Sequence, residues 1–154
     1  MLNPLSRFGQ VNQPYKHMII IGIDPGTAKT GYGIIQIDGA TCTLKQYGCI
    51  ETAAGLSPQK RLHILEQKLT GVFRSHPPDI MAMESIFFFK NVKTAVRVSQ
   101  AQGVILLTAA KHHVEVSEYT PLQIKMALTG YGRAEKSQVQ KTVQQTLSLP
   151  TIPK

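Results

Sequence analysis

Two short apolar runs, each stopping on a carboxylate, constrain this chain more than any other feature. Met18-Ile19-Ile20-Ile21-Gly22-Ile23 runs into Asp24 and then turns at Pro25-Gly26. Ile80-Met81-Ala82-Met83 runs into Glu84. Apolar, largely β-branched runs of this length suit central strands with neighbours on both faces. Pro-Gly turns the chain at once. A single Asp before Pro-Gly is ordinary turn chemistry. Two strands with the same ending predict two acids side by side on a rigid frame, as a metal-binding carboxylate pair requires.

The intervening sequence says how the two runs meet. Gly26–Gly31 is not a phosphate-binding P-loop, because its second glycine is followed by Tyr32 rather than by Lys and a hydroxyl residue. It reads instead as a hairpin turn. Gly31–Ile37, closed by Asp38-Gly39, and Thr43–Thr52 read as two further strands of an antiparallel meander. Ser57-Pro58 then opens a helix with Leu62, Leu65, Leu69, Val72 and Phe73 on one face, and Pro77-Pro78 stops it. A helical crossover of this length makes the Glu84 strand parallel to the Asp24 strand. Both acids then lie at the same edge of the sheet.

Beyond Glu84, Phe87, Phe88 and Phe89 form an aromatic triplet, either core or partly exposed to stack on an unpaired base. Asn91–His112 reads as a long helix bearing Lys93 and Arg97, with Lys90 just before it. Its small residues Ala95, Ser99 and Gly103 would let a second helix or subunit approach closely. Val114–Tyr119 is a fifth strand. Thr120-Pro121 starts a short helix carrying Lys125. Gly130-Tyr131-Gly132 reads as a mobile loop leading to Arg133, and Ala134–Leu149 as a last helix with Lys136.

At 154 residues the chain is sized for one domain, and its net charge of +8 favours a polyanionic partner, nucleic acid first. Cys42 and Cys49 fit free buried thiols in a reducing cytoplasm. The five histidines show no metal-ligand spacing with the acids and read as structural or surface residues. No run is long and apolar enough for a membrane span, and residues 1–17 lack a signal-peptide core and read as a disordered extension before a domain spanning 18–154.

The order of elements, with acids on the first and fourth strands, resembles the ribonuclease H-like fold: an α/β domain with a five-stranded mixed sheet, three antiparallel strands then two parallel, flanked by helices. Within it, three stretches resemble the bacterial Holliday-junction resolvase family RuvC. They are Gly22-Ile23-Asp24-Pro25-Gly26 with Thr30-Gly31-Tyr32-Gly33, then Glu84 with Phe87 and Lys90-Asn91, then Ala134–Gln140. The resemblance implies a cytoplasmic homodimer that works with the RuvA–RuvB branch-migration complex. It would nick four-way DNA junctions symmetrically in recombination and repair. It also implies Asp24 and Glu84 as catalytic, metal-binding acids, Phe87 against bases at the junction centre, and Lys125 and Lys136 near the scissile phosphate. Lys90, Asn91, Lys93, Arg97 and Arg133 complete the expected DNA-binding set.

The implied chemistry is phosphodiester hydrolysis with two Mg²⁺ ions about 3.5–4 Å apart. Mg²⁺ takes hard oxygen ligands, so carboxylates suit it. Two carboxylates 4 Å apart repel by roughly 4 kcal/mol at an effective dielectric near 20, so without metal one of them should have a raised pKa. The family's two remaining acids lie on a helix beyond a Leu-Pro…Pro segment, matched here by Leu149–Pro153 close to the last residue, Lys154. The expectation is therefore a C-terminally truncated domain with an incomplete Mg²⁺ site that binds junctions and cuts poorly. The competing readings are a junction-binding or nucleic-acid-binding module without catalysis and a ribonuclease H-like RNA-processing nuclease. An actin-like ATPase lobe is disfavoured because it needs a second domain.

Overall fold

The computed structural model describes residues 17–85 and 92–152. Within them the chain runs β1 (Met18–Asp24), β2 (Lys29–Asp38), β3 (Thr41–Glu51), α1 (Pro58–Ser75), β4 (Ile80–Glu84), α2 (Val92–Lys111), β5 (Glu115–Tyr119), α3 (Pro121–Thr129) and α4 (Lys136–Thr146). The strands form one sheet in the order β3-β2-β1-β4-β5, so β1 is central. β1–β2 and β2–β3 are antiparallel, while β1–β4 and β4–β5 are parallel. This is the mixed ribonuclease H-like sheet that the sequence implies.

The register follows from side-chain alternation. Ile21 and Ile23 of β1, Ile34 of β2 and Met81 and Met83 of β4 point to one face. There they join Leu65, Leu69 and Phe73 of α1 and Ala101, Ile105 and Ala109 of α2 in the core. Burying each of the larger side chains contributes about 1.5–3 kcal/mol. The alternate residues of β1 and β4 (Ile20, Gly22, Asp24 and Ile80, Ala82, Glu84) occupy the other face. Ile20 and Ile80 are only half-buried there, so β1 is fully covered on one side and partly on the other.

A reciprocal pair of hydrogen bonds sets the start of the parallel ladder. The Ile19 N–H donates to Asp79 Oδ2 at 2.7 Å, and the Asp79 N–H donates to the Ile19 carbonyl at 2.8 Å. Ile20 then faces Ile80, and the pairing continues to Ile23 opposite Met83.

Several expectations change, beginning with β2 and β3, which each start two residues earlier than Gly31 and Thr43. The last helix is shorter than Ala134–Leu149, because Glu135 takes the N-cap position and the chain leaves the helix at Leu147, with Ser148 at φ 52°. Cys49 is exposed and Cys42 half-buried, because alternate side chains of β3 point to opposite faces and Cys49 lies on the solvent-facing one. The Gly130–Gly132 loop is tied down: Gly130 N–H bonds to the Met126 carbonyl, Tyr131 N–H to Thr129 Oγ1, and Gly132 packs so tightly on Leu122 that a Cβ would sit 2.9 Å from it.

Candidate active site

The two acids meet where the parallel strands end. Ile23 pairs with Met83, so Asp24 and Glu84 are the next residues on adjacent strands and share a face. Neighbouring strands lie about 4.8 Å apart. Both carboxyls are held above their ordinary pKa, chiefly by loss of hydration. For Glu84 the nearby Asp24 charge raises it further. The rise expected of a metal-free acid pair is present, with burial a larger cause than the charge of the neighbouring acid.

Two lysines oppose it. Lys136 pulls Asp24 down and Lys125 pulls Glu84 down, without cancelling the rise. Each lysine is placed by local sequence. β5 ends at Tyr119, opposite Glu84, and Thr120 caps α3 immediately afterwards. Its Oγ1 accepts from the Gln123 N–H at 3.1 Å, and its own N–H donates to Gln123 Oε1 at 2.8 Å, a capping box that fixes where Lys125 projects. Glu135 N–H donates to Gln138 Oε1 at 2.8 Å and so sets the start of α4 at Lys136.

Three successive carbonyls of the turn after Asp24 accept hydrogen bonds. Buried Thr30 donates its hydroxyl to Gly26 O at 2.8 Å. Arg61 Nη2 and Thr52 Oγ1 donate to Thr27 O at 2.9 and 2.7 Å. Thr52 N–H donates to Ala28 O at 3.0 Å. Gly26 is required: a Cβ there would lie 2.1 Å from the Lys29 carbonyl oxygen. Sequence reasoning missed Arg61, because its partners lie 34 and 9 residues away and no local pattern marks it. It also missed Tyr119 and Tyr131, aromatic side chains left exposed on the elements around Lys125 and Lys136.

Asp24, Glu84, Lys125 and Lys136 are thus brought together. Arg133 is exposed just before α4. Lys93 and Arg97 are exposed on the first turns of α2, which begins at the same sheet edge. Phe87, Lys90 and Asn91 lie outside the described residues. His17 bonds to Asp38, and His112 stacks edge-on to Phe73, in keeping with surface and structural roles. Two hard-oxygen donors that repel each other fit a divalent cation. Among the described residues no third His, Cys, Asp or Glu joins them.

A mixed sheet whose parallel strands deliver paired acids beside two lysines defines a nuclease of the ribonuclease H-like class. The family profile described as crossover junction endodeoxyribonuclease RuvC matches residues 20–154. The chain is 50% identical over 137 residues to the RuvC of Desulforamulus reducens, covering 89% of this chain and 84% of that one. It is 46% identical over 137 residues to the RuvC of Fusobacterium nucleatum, spanning 72% of that protein. Among solved structures, Thermus thermophilus RuvC bound to a Holliday junction superposes with a TM-score of 0.84 at 30% identity, over 89% of this chain and 84% of that one. The yeast mitochondrial resolvase Ydc2 shares the fold, with a TM-score of 0.63 at 11% identity over 82% of this chain and 60% of that one. The chain belongs to the RuvC family of crossover junction endodeoxyribonucleases.

Proposed function

We propose that this chain resolves four-way DNA junctions by Mg²⁺-dependent hydrolysis, with Asp24 and Glu84 as the metal-binding acids. The observation that carries the reading is the meeting of two mutually repelling carboxylates with two lysines at one strand edge. Bound there, Mg²⁺ would supply Lewis-acid polarisation of the phosphate and an activated water. The chain's own part is to hold the two acids in fixed register and to present Lys125 and Lys136 to phosphate charge. Arg133, Lys93 and Arg97 extend the basic surface, and Phe87, Lys90 and Asn91 join them by family resemblance. Asp24 and Glu84 would hold the ion through their carboxylate oxygens, the hard donors that Mg²⁺ takes.

The test is nicking of a four-way junction in Mg²⁺, with binding measured separately in Ca²⁺. Asp24→Asn and Glu84→Gln are each expected to abolish nicking while changing junction affinity less than about tenfold. Nicking that survives both substitutions overturns the assignment. A second reading is a junction-binding or nucleic-acid-binding module without catalysis. Wild-type binding without nicking across a Mg²⁺ and Mn²⁺ titration selects it. Preference for structured RNA over junction DNA in competition would select an RNA-processing nuclease instead.

The partners and setting belong to the same proposal: a cytoplasmic homodimer acting with the RuvA–RuvB complex. Among the described residues no helix is long and apolar enough to cross a membrane. For the dimer, α2 offers a face other than the small-residue stripe read from the sequence. Ala95 is buried and Ser99 half-buried, while Val96 and Leu107 are exposed around open Gly103.

A further inference from the structure

α1 and α2 both begin at the acidic edge of the sheet, since each follows a strand that ends there. Between their first turns lies a cleft of about 140 Å³, lined by Thr27, Leu56, Pro58, Arg61, Arg97 and Gln100 among others. Thr27 belongs to the turn that follows Asp24, so the cleft adjoins the loop that leaves the acid.

Its floor is apolar, formed by Leu56, Leu62, Leu65 and Ala101, and the charge on its rim is of one sign. Two arginines face it, and no carboxylate is among the described residues that line it. Neither arginine is in an ion pair among the described residues. Neither helix has an acidic residue in its first turn, so the positive ends of both helix dipoles are unopposed there. Arg61 uses Nε on Thr52 Oγ1 at 3.0 Å and Nη2 on Thr27 O at 2.9 Å. A guanidinium has five N–H donors, so three remain. Those two bonds hold the group in one orientation, and pre-organised Arg suits bidentate recognition of phosphate. Arg97 is exposed at the mouth.

We propose that this cleft seats one backbone phosphate of the bound DNA strand, held by Arg97 and the remaining donors of Arg61. The proposal rests on the nuclease reading and deepens it: a second phosphate contact, beyond the turn from Asp24, fixes which phosphate lies over the acids. A strand crossing the acidic edge meets the cleft without leaving the basic surface, whereas a free anion would gain only this one contact.

The test uses the full chain and junctions carrying a single neutral methylphosphonate linkage, moved one position at a time along the strand to be cut, with binding measured in Ca²⁺. Wild type is expected to lose affinity about tenfold at one position near the cut. Arg97→Gln is expected to weaken the unmodified junction to a similar degree, to show no further loss at that position, and to keep the wild-type losses elsewhere. Its salt slope should fall by about one unit, as for one lost phosphate contact. Arg97→Lys, which keeps the charge and loses the fork, is expected to fall between. Melting temperatures equal to wild type show that the variants are folded. Uniform weakening, with wild-type sensitivity preserved at every position, means a diffuse field and overturns the subsite. If millimolar inorganic phosphate alone stabilises wild type and not Arg97→Gln, the cleft takes a small anion and the strand assignment falls. Failure of wild type to bind the unmodified junction removes the functional reading itself, a result visible before any linkage is changed.

Discussion

Asp24 and Glu84 make the folded chain less stable than their neutral counterparts would. Each carboxyl has a folded pKa above its ordinary value of 3.8 or 4.5. Ionisation therefore costs more in the fold than in the unfolded chain. That cost is absent well below the ordinary values, grows as pH rises toward the folded pKa, and is fully present above it. In metal-free buffer near pH 7, Asp24→Asn and Glu84→Gln are each expected to raise the melting temperature, by roughly 2–4 °C for every kcal/mol relieved at this chain length. The gain should shrink as pH falls through the folded values and vanish well below 3.8, where both groups are protonated in the folded and unfolded chain alike. Calorimetric scans across pH check both signs; a lower melting temperature for either variant at pH 7 contradicts the account. Both acids were legible in sequence because a strand of known length ending in a carboxylate fixes where that carboxylate goes. Arg61 was not legible, because its role depends on the chain returning to Thr27 after a whole hairpin.

Among the elements, the β1–β2 turn and the start of α3 carry the site. Gly26→Ala puts a Cβ 2.1 Å from a backbone oxygen, so the turn must open. It is expected to lower stability by about 1–3 kcal/mol. Because Asp24 borders this turn, nicking in Mg²⁺ should fall more than junction affinity. Chemical denaturation and a paired binding and cleavage assay read the two effects. Thr120→Ala removes the hydroxyl that accepts from Gln123 N–H and should destabilise the fold by about 1 kcal/mol. The same variant should blunt the response of nicking to Lys125→Gln, since Lys125 is then less well placed; equal Lys125→Gln effects in both backgrounds would separate cap from lysine. The central strands were legible to the residue, because periodicity and acid endings agree. The limits of α4 were not, since Glu135 outcompetes Ala134 for the N-cap through a side chain three residues on. The exposure of Cys49 was hidden for a different reason: only the packed structure shows which face of β3 is left uncovered.

At the scale of the molecule, the chain carries a net charge of +8. Binding to a junction is expected to fall steeply with salt, by close to one power of concentration for each phosphate engaged. Titrations between 50 and 200 mM salt at fixed Ca²⁺ measure that slope, and a flat response would mean that charge is not what holds the DNA. The exposed Val96 and Leu107 make the dimer testable as well. Leu107→Glu is expected to shift a concentration-dependent dimer to monomer in light scattering and to leave the melting temperature of the monomer unchanged within about 2 °C, as for an exposed position.

The clasp between Ile19 and Asp79 reaches furthest in its effect. A strand advances about 3.3 Å per residue and barely stretches, so the two hydrogen bonds at its far end act as the zero mark from which both carboxylates are measured. Anyone transplanting this acidic pair into another scaffold would have to carry Asp79 along with it. Without that zero mark a slip of one residue would turn one acid to the opposite side of the sheet.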